Sequence, residues 1–124
     1  MSTRDLSLDE IHSLAKNVMM ANGCNKANAE ALADIICRAE RDGSHSHGLF
    51  RVPGYVKALR SGKVDGKAKP TIRHLTPAVI QVDGHGCFAP LAQAVGLPAL
   101  TEATEKIGIA ALSLVGVHHF AALW

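Results

Sequence analysis

Residues 78–115, AVIQVDGHGCFAPLAQAVGLPALTEATEKIGIAALSLV, decide the fold class of this 124-residue chain. The opening AVIQV predicts a strand, and the turn-forming pair DG that follows is expected to close it. Residues 89–106 favour a helix, although Gly96 and Pro98 weaken that prediction. Residues 109–115 are apolar enough to predict a second strand, buried on both faces. The order strand, helix, strand indicates a mixed α/β unit.

Two helices are predicted near the start of the chain. Ser7 and Glu10 have the S-x-x-E spacing of a capping box, and apolar residues recur behind them at steps of three and four. Gly23 supplies the left-handed position at which such a helix ends. Asn25 can cap a second helix with its own apolar face. The pair predicts a helical hairpin.

A third helix is expected after a break rich in turn formers at residues 42–48, DGSHSHG. Pro53 fits only in the first turn of that helix because it lacks an N–H group. This places Ser46, His47 and Arg51 at or near a helix N-terminus, where free amides favour anions. From residue 61 to residue 77 the chain is polar and is expected to be extended.

Composition excludes several classes of protein. The formal net charge is +2 and charged residues make up 19% of the chain, which favours neither a nucleic-acid nor a membrane partner. No apolar run reaches the length of a spanning helix, and no stretch resembles a secretory leader. The sequence ends on the apolar residues AALW, so we expect a piece of a larger protein.

The three cysteines, Cys24, Cys37 and Cys87, are widely spaced and form no C-x-x-C pair. A disulfide framework or a zinc ribbon is therefore not expected. Packing or surface roles in a reducing cytoplasm are the simplest interpretation.

Four of the seven histidines lie in two clusters, His45/His47 and His118/His119, for which three kinds of chemistry compete. Metal binding is disfavoured because no carboxylate or cysteine stands at ligand spacing, and no metal is expected. A serine nucleophile is disfavoured because the G-x-S-x-G elbow is missing and adjacency does not by itself bring Ser46 within reach of its neighbour's ring.

The third possibility is proton transfer to an anionic substrate. Histidine titrates near neutrality, and Arg51, one helical turn after His47, supplies a planar fork for a carboxylate. The competing interpretation is that these are surface histidines and a solvated arginine. The basic stretch from residue 51 to residue 73 is interpreted as a solvated face, because Tyr55 is its only aromatic residue. No G-x-G-x-x-G follows a strand.

Two separated motifs carry a family resemblance. Residues 38–55, RAERDGSHSHGLFRVPGY, resemble the D-S-H-G-x-x-R-x-P-x-Y signature of the malate/L-lactate dehydrogenase type 2 family, a non-Rossmann group of NAD(P)-dependent oxidoreductases. Residues 116–124, GVHHFAALW, are similar to its second motif, S-N-H-F-G-A. His45 and Ala121 depart from the wider family and are more similar to its cyclic-imine reductase branch. The chain corresponds to about the first third of a family member.

The resemblance implies roles for individual residues. Ser46 and His47 belong to a proton relay completed by an aspartate expected beyond residue 124, and Arg51 grips the substrate carboxylate. The cofactor site is lined by a run at the end of the chain, namely His118, His119, Phe120, Ala121, Ala122 and Leu123. His119 is also implied as a catalytic acid or base, because the matching histidine has that role in the hydroxy-acid relatives.

The implied activity is NADPH-dependent reduction of Δ1-piperideine-2-carboxylate to L-pipecolate, or of Δ1-pyrroline-2-carboxylate to L-proline, with NADH as the other possible cofactor. The alternatives are a 2-hydroxy-acid dehydrogenase and an inactive fragment, or assembly half, of a split enzyme. The resemblance implies a homodimer, and the cysteine usage favours the cytoplasm. The resemblance also implies a helical region with the substrate motif at residues 1–75 and the start of an NAD(P)-binding domain at residues 76–124.

Overall fold

The computed structural model describes residues 2–118 as three helices followed by a three-stranded sheet with one further helix. The elements, in chain order, are α1 (Leu8–Ala21), α2 (Lys26–Arg41), two 3₁₀ turns (His45–His47 and Leu49–Arg51), α3 (Val52–Arg60), β1 (Thr71–Thr76), β2 (Val79–Phe88), α4 (Ala89–Ile107) and β3 (Ala111–His118). This arrangement confirms the mixed α/β class. None of the helices within residues 2–118 combines the length and the apolar character that crossing a bilayer requires.

The helical hairpin forms as its capping residues predict. Ser7 Oγ accepts a hydrogen bond from the Glu10 N–H, and the Glu10 carboxylate accepts one from the Ser7 N–H, so both halves of the capping box are present. The Asn25 side chain accepts from the Asn28 N–H at the start of α2. Gly23 has φ +105°, the left-handed conformation expected between the two helices.

The sheet has the order β1-β2-β3, with β1 antiparallel and β3 parallel to β2. Helix α4 connects the two parallel strands and packs on the sheet. Gly96 is at this contact, because a Cβ atom there would lie 2.7 Å from Leu112 Cδ1 and 2.9 Å from Val82 Cγ2. The glycine that weakens the helix prediction therefore lets α4 approach the sheet closely.

The sequence does not predict strand β1, because its residues belong to the polar segment that is expected to be extended between residues 61 and 77. All six of its residues are exposed, so no alternation of apolar and polar side chains marks it as a strand. Backbone pairing with β2 forms it instead. The observed order after α3 is therefore β-β-α-β rather than β-α-β, and β1 spans the boundary expected between residues 75 and 76.

Strand β2 does not end at the pair Asp83–Gly84. It continues to Phe88 through a bulge at which the pairing with β3 shifts between Asp83 and Cys87. His85 and Gly86 both have positive φ, +49° and +91°, so the turn-forming residues bend the strand without ending it. The expectation that β3 is buried on both faces is also wrong within the described chain, because Val115 is 37% exposed.

Two apolar clusters form the core. The larger joins the helices, with Ala15, Met19, Leu32 and Ile36 fully buried, and includes Phe88 from the end of β2. The smaller lies between α4 and the sheet and contains Val82, Cys87 and Ala92. Because Phe88 packs with the helices, the end of β2 is held against the segment that carries the first motif.

Candidate active site

The first motif forms the connection between α2 and α3. Two consecutive 3₁₀ turns bring the chain round, and α3 begins at Val52 with Pro53 in its first turn, as predicted. Arg51 is the residue at the N-terminal cap of α3, so the expected position of this arginine at a helix start is confirmed. Ser46 and Arg51 are exposed and His47 is partly buried.

Ser46 and His47 contact each other directly. Ser46 Oγ lies 3.0 Å from His47 Nδ1, and Ser44 Oγ lies 3.4 Å from the same nitrogen. Adjacency alone does not produce this contact; the 3₁₀ turn folds the neighbouring side chains onto one another. A hydrogen bond at Nδ1 orients the imidazole ring and thereby also fixes the direction of the other ring nitrogen, Nε2.

Arg51 is fixed on the same segment. Its Nε donates to the carbonyl oxygen of Ser46 over 2.9 Å, and its backbone N–H donates to the carbonyl oxygen of Gly48 over 3.0 Å. Within residues 2–118 neither Nη1 nor Nη2 of Arg51 has a hydrogen-bond partner or a carboxylate in ion-pair range. The end of the guanidinium fork is therefore able to receive a planar anion in two parallel hydrogen bonds.

Glu40, in the last turn of α2, is a site residue that the sequence patterns did not identify. Its side chain is 15% exposed. Its Oε1 accepts from the Leu49 N–H over 2.8 Å, and its Oε2 lies 2.5 Å from His45 Nδ1. The carboxylate thus holds the connection at the residues on either side of Ser46 and His47. Glu40 lies in the stretch that carries the family resemblance but outside its D-S-H-G-x-x-R-x-P-x-Y signature, so the signature does not single it out.

The two histidines of the first cluster have different partners. His45 contacts Glu40, whereas His47 contacts the serine hydroxyls. Among residues 2–118 no group of three or more histidine, cysteine, aspartate or glutamate side chains is arranged to hold a metal ion.

The second motif meets the first through a row of rings. The Tyr55 ring on α3 stands edge-on to Phe88, with centroids 5.5 Å apart and an interplanar angle of 74°. Phe88 is in turn edge-on to the His118 ring at 5.7 Å and 85°. Burial raises the pKa of Tyr55 to about 12, and the Arg51 charge opposes that shift. Of the predicted cofactor residues only His118 is described; His119, Phe120, Ala121, Ala122 and Leu123 lie outside the described residues.

The profile of the malate/L-lactate dehydrogenase family matches residues 6–124. A Δ1-pyrroline-2-carboxylate reductase of Ancylobacter novellus is 49% identical over 119 residues, which are 96% of this chain and 35% of that protein. The chain thus spans about a third of the length of the curated relatives that it matches.

Solved structures show the same fold. The crystal structure of Δ1-piperideine-2-carboxylate reductase from Pseudomonas syringae pv. tomato matches with a TM-score of 0.94 at 40% identity, covering 98% of this chain and 37% of that one. Malate dehydrogenase from Entamoeba histolytica matches with a TM-score of 0.86 at 25% identity, covering 96% and 33%. The chain belongs to the malate/L-lactate dehydrogenase family.

Proposed function

We propose that this chain supplies the carboxylate anchor and part of the proton relay of an NADPH-dependent reductase of cyclic imine carboxylates. The substrates are Δ1-pyrroline-2-carboxylate and Δ1-piperideine-2-carboxylate, and the products are L-proline and L-pipecolate. The observation that carries the proposal is the contact of Ser46 Oγ with His47 Nδ1 at 3.0 Å, beside an arginine whose Nε is bonded to the Ser46 carbonyl. The names of relatives at 40–49% identity support the choice of substrate class.

Arg51 binds the substrate carboxylate. Its Nε is already engaged by the Ser46 carbonyl, which fixes the plane of the guanidinium and leaves Nη1 and Nη2 for the two carboxylate oxygens. Hydrogen bonds to a charged group contribute about 1.5–3 kcal/mol. Because the anchor and the relay share one short segment, a bound carboxylate holds the adjacent C=N group near the histidine.

His47 gives the proton that the imine nitrogen requires. In the protonated imidazole both ring nitrogens carry a proton, so Nδ1–H donates to the Ser46 hydroxyl while Nε2–H gives its proton to the imine nitrogen and leaves a neutral ring. The serine therefore fixes the ring orientation, and an aspartate from the remainder of the family fold completes the relay that protonates the ring again. His119 is a further acid or base in this proposal.

NADPH, when bound, supplies the hydride that reduces the imine carbon. The residues proposed to hold it are His118, His119, Phe120, Ala121, Ala122 and Leu123. One observation fits this assignment: His118 lies at the carboxyl end of β3, parallel to β2, where ligands of open α/β sheets bind. The Phe88 ring packs against its imidazole and orients it. NADPH is preferred to NADH on the branch resemblance alone.

The parent enzyme is proposed to be a cytoplasmic homodimer with an N-terminal helical region and a nicotinamide-binding domain that meet near residues 75 and 76. All three cysteines are free thiols, which is compatible with a reducing compartment. Burial raises the pKa of the Cys24 thiol to about 11, so this cysteine is unreactive at neutral pH.

The test is a chimera in which residues 1–124 replace the matching segment of the Ancylobacter novellus reductase. We expect it to oxidise NADPH with cyclic imine carboxylates far faster than it reduces NADP with malate or lactate. The reverse preference would establish the 2-hydroxy-acid dehydrogenase instead. The isolated chain is expected to show no turnover, and rapid turnover by it would refute the division of the site between two parts of the fold.

A further inference from the structure

Glu40 bonds to the connection between α2 and α3 on both sides of the serine–histidine pair. One oxygen accepts from the Leu49 N–H at 2.8 Å, and the other lies 2.5 Å from the His45 ring. These two partners are four residues apart, and Ser46 and His47 lie between them in the chain. The carboxylate therefore fixes the ends of the segment that presents the relay.

Gly48 shows how closely the carboxylate is packed on this segment. It is buried, and a Cβ atom at this position would lie 2.0 Å from Glu40 Oε1 and 2.5 Å from Glu40 Cδ. A side chain at this position would therefore occupy the space that the carboxylate fills. The backbone of the connection thus rests directly on the glutamate side chain.

The contact extends to the anchor. The carbonyl oxygen of Gly48 accepts from the Arg51 N–H, and the carbonyl oxygen of Ser46 accepts from Arg51 Nε. A shift of the connection away from Glu40 would therefore move the histidine and the guanidinium together. Misplacement of a catalytic group by about 1 Å can cost about 10²-fold in rate.

We propose that Glu40 is a positioning residue of the reductase, which aligns His47 and Arg51 without touching substrate or cofactor. The proposal rests on the function proposed above. Asp34 provides a matched control on the same helix: it is exposed and also pairs with a histidine, His12, at 2.7 Å, but it does not bond to the connection.

The first experiment uses the 124-residue chain and requires no activity. In Glu40→Ala the Leu49 amide loses its acceptor, so its hydrogen exchange is expected to accelerate at least about tenfold, and the nitrogen-15 shifts of the His47 ring are expected to change. Glu40→Gln keeps an acceptor oxygen for Leu49 and can donate to the His45 ring, so its exchange stays close to that of the unmodified chain. Asp34→Ala leaves both signals unchanged.

The second experiment measures turnover in the chimera described above. Glu40→Ala is expected to lower kcat about 10- to 100-fold while the KM for NADPH stays within about twofold, and Glu40→Gln is expected to restore most of the loss. Melting curves of each variant separate loss of alignment from loss of folding.

The two experiments test the reductase function and the positioning role of Glu40 separately. An unmodified chimera without imine reductase activity refutes the proposed function, while exchange at Leu49 still decides whether Glu40 orders the connection. Unchanged exchange and ring shifts in Glu40→Ala overturn the positioning role. The role is also overturned if the kcat of Glu40→Ala is no lower than that of Asp34→Ala, or if Glu40→Ala and Glu40→Gln lose kcat equally.

Discussion

Gly48→Ala is the perturbation whose consequence the structure defines most closely. The added Cβ would occupy the position of the Glu40 carboxylate, with contacts of 2.0–2.7 Å to three of its atoms. At these distances a small shift of the added methyl group cannot by itself relieve the overlap with Glu40. The glutamate must rotate away, which breaks its hydrogen bond to the Leu49 N–H.

The expected loss in the free energy of unfolding follows from the contacts of Glu40 that are broken. A hydrogen bond from a backbone amide to a carboxylate contributes about 1.5–3 kcal/mol. The His45 contact adds little, because that side chain is 74% exposed and its ion pair is screened by solvent. We therefore expect the free energy of unfolding to fall by about 2 kcal/mol. For a chain of this size that corresponds to roughly 6–12 °C in Tm.

The assay is urea and thermal unfolding of the 124-residue chain followed by circular dichroism. Gly54→Ala is the matched control, since it lies within α3 and its added Cβ meets no atom within 4 Å. Alanine is the better helix former, so this variant is expected to be more stable by about 0.5–1 kcal/mol. A Gly48→Ala chain as stable as the unmodified one would refute the account of Glu40 and its connection.

Three further predictions concern the anchor, the sheet and the first helix. Arg51→Lys in the chimera is expected to raise the KM for the imine about 10- to 100-fold, with the KM for NADPH nearly unchanged, because lysine lacks the bidentate fork; equal substrate affinity would exclude the anchor. Gly96→Val is expected to destabilise the chain by about 1–3 kcal/mol in urea unfolding, because its side chain would collide with Leu112. The hydrogen bonds from Ser7 lower the pKa of Glu10 from its ordinary value of 4.5, so its stabilising contribution is present above that pH and is lost as the pH falls through the lower folded-state pKa. The pH dependence of Tm should therefore weaken in Glu10→Gln, and an unchanged profile would contradict this.

Local signals in the sequence predict much of the helical part. The capping box at Ser7, the Asn25 cap and the glycine between the two helices act within a few residues, so their effect can be derived without the rest of the fold. The same is true of Pro53, whose missing N–H confines it to the first turn of α3.

The sheet was harder to predict because its strands depend on partners. Strand β1 has no buried side chain to mark it, and β2 continues past Asp83 because its bulge is matched by β3, more than thirty residues further along the chain. A turn-forming pair at positions 83 and 84 signals a change of direction and cannot show whether the strand resumes afterwards.

The candidate site also contains some residues that a sequence motif identifies and others that depend on the folded structure. The short motif supplied Ser46, His47 and Arg51, and the geometry places these residues together. Glu40 and Phe88 could not be identified by motif. The first acts through a backbone amide nine residues away, and the second contacts both the Tyr55 ring on α3 and the His118 ring at the end of β3.

His47 of this chain is proposed to transfer the proton in imine reduction, and its substitution tests that role. In the chimera with the Ancylobacter novellus reductase, kcat for Δ1-pyrroline-2-carboxylate is measured with His47 present and in His47→Gln. We expect kcat to fall by about 10²–10⁴-fold with NADPH binding unchanged, the range typical of a positioned acid or base. A His47→Gln chimera that retains kcat within about threefold would contradict it.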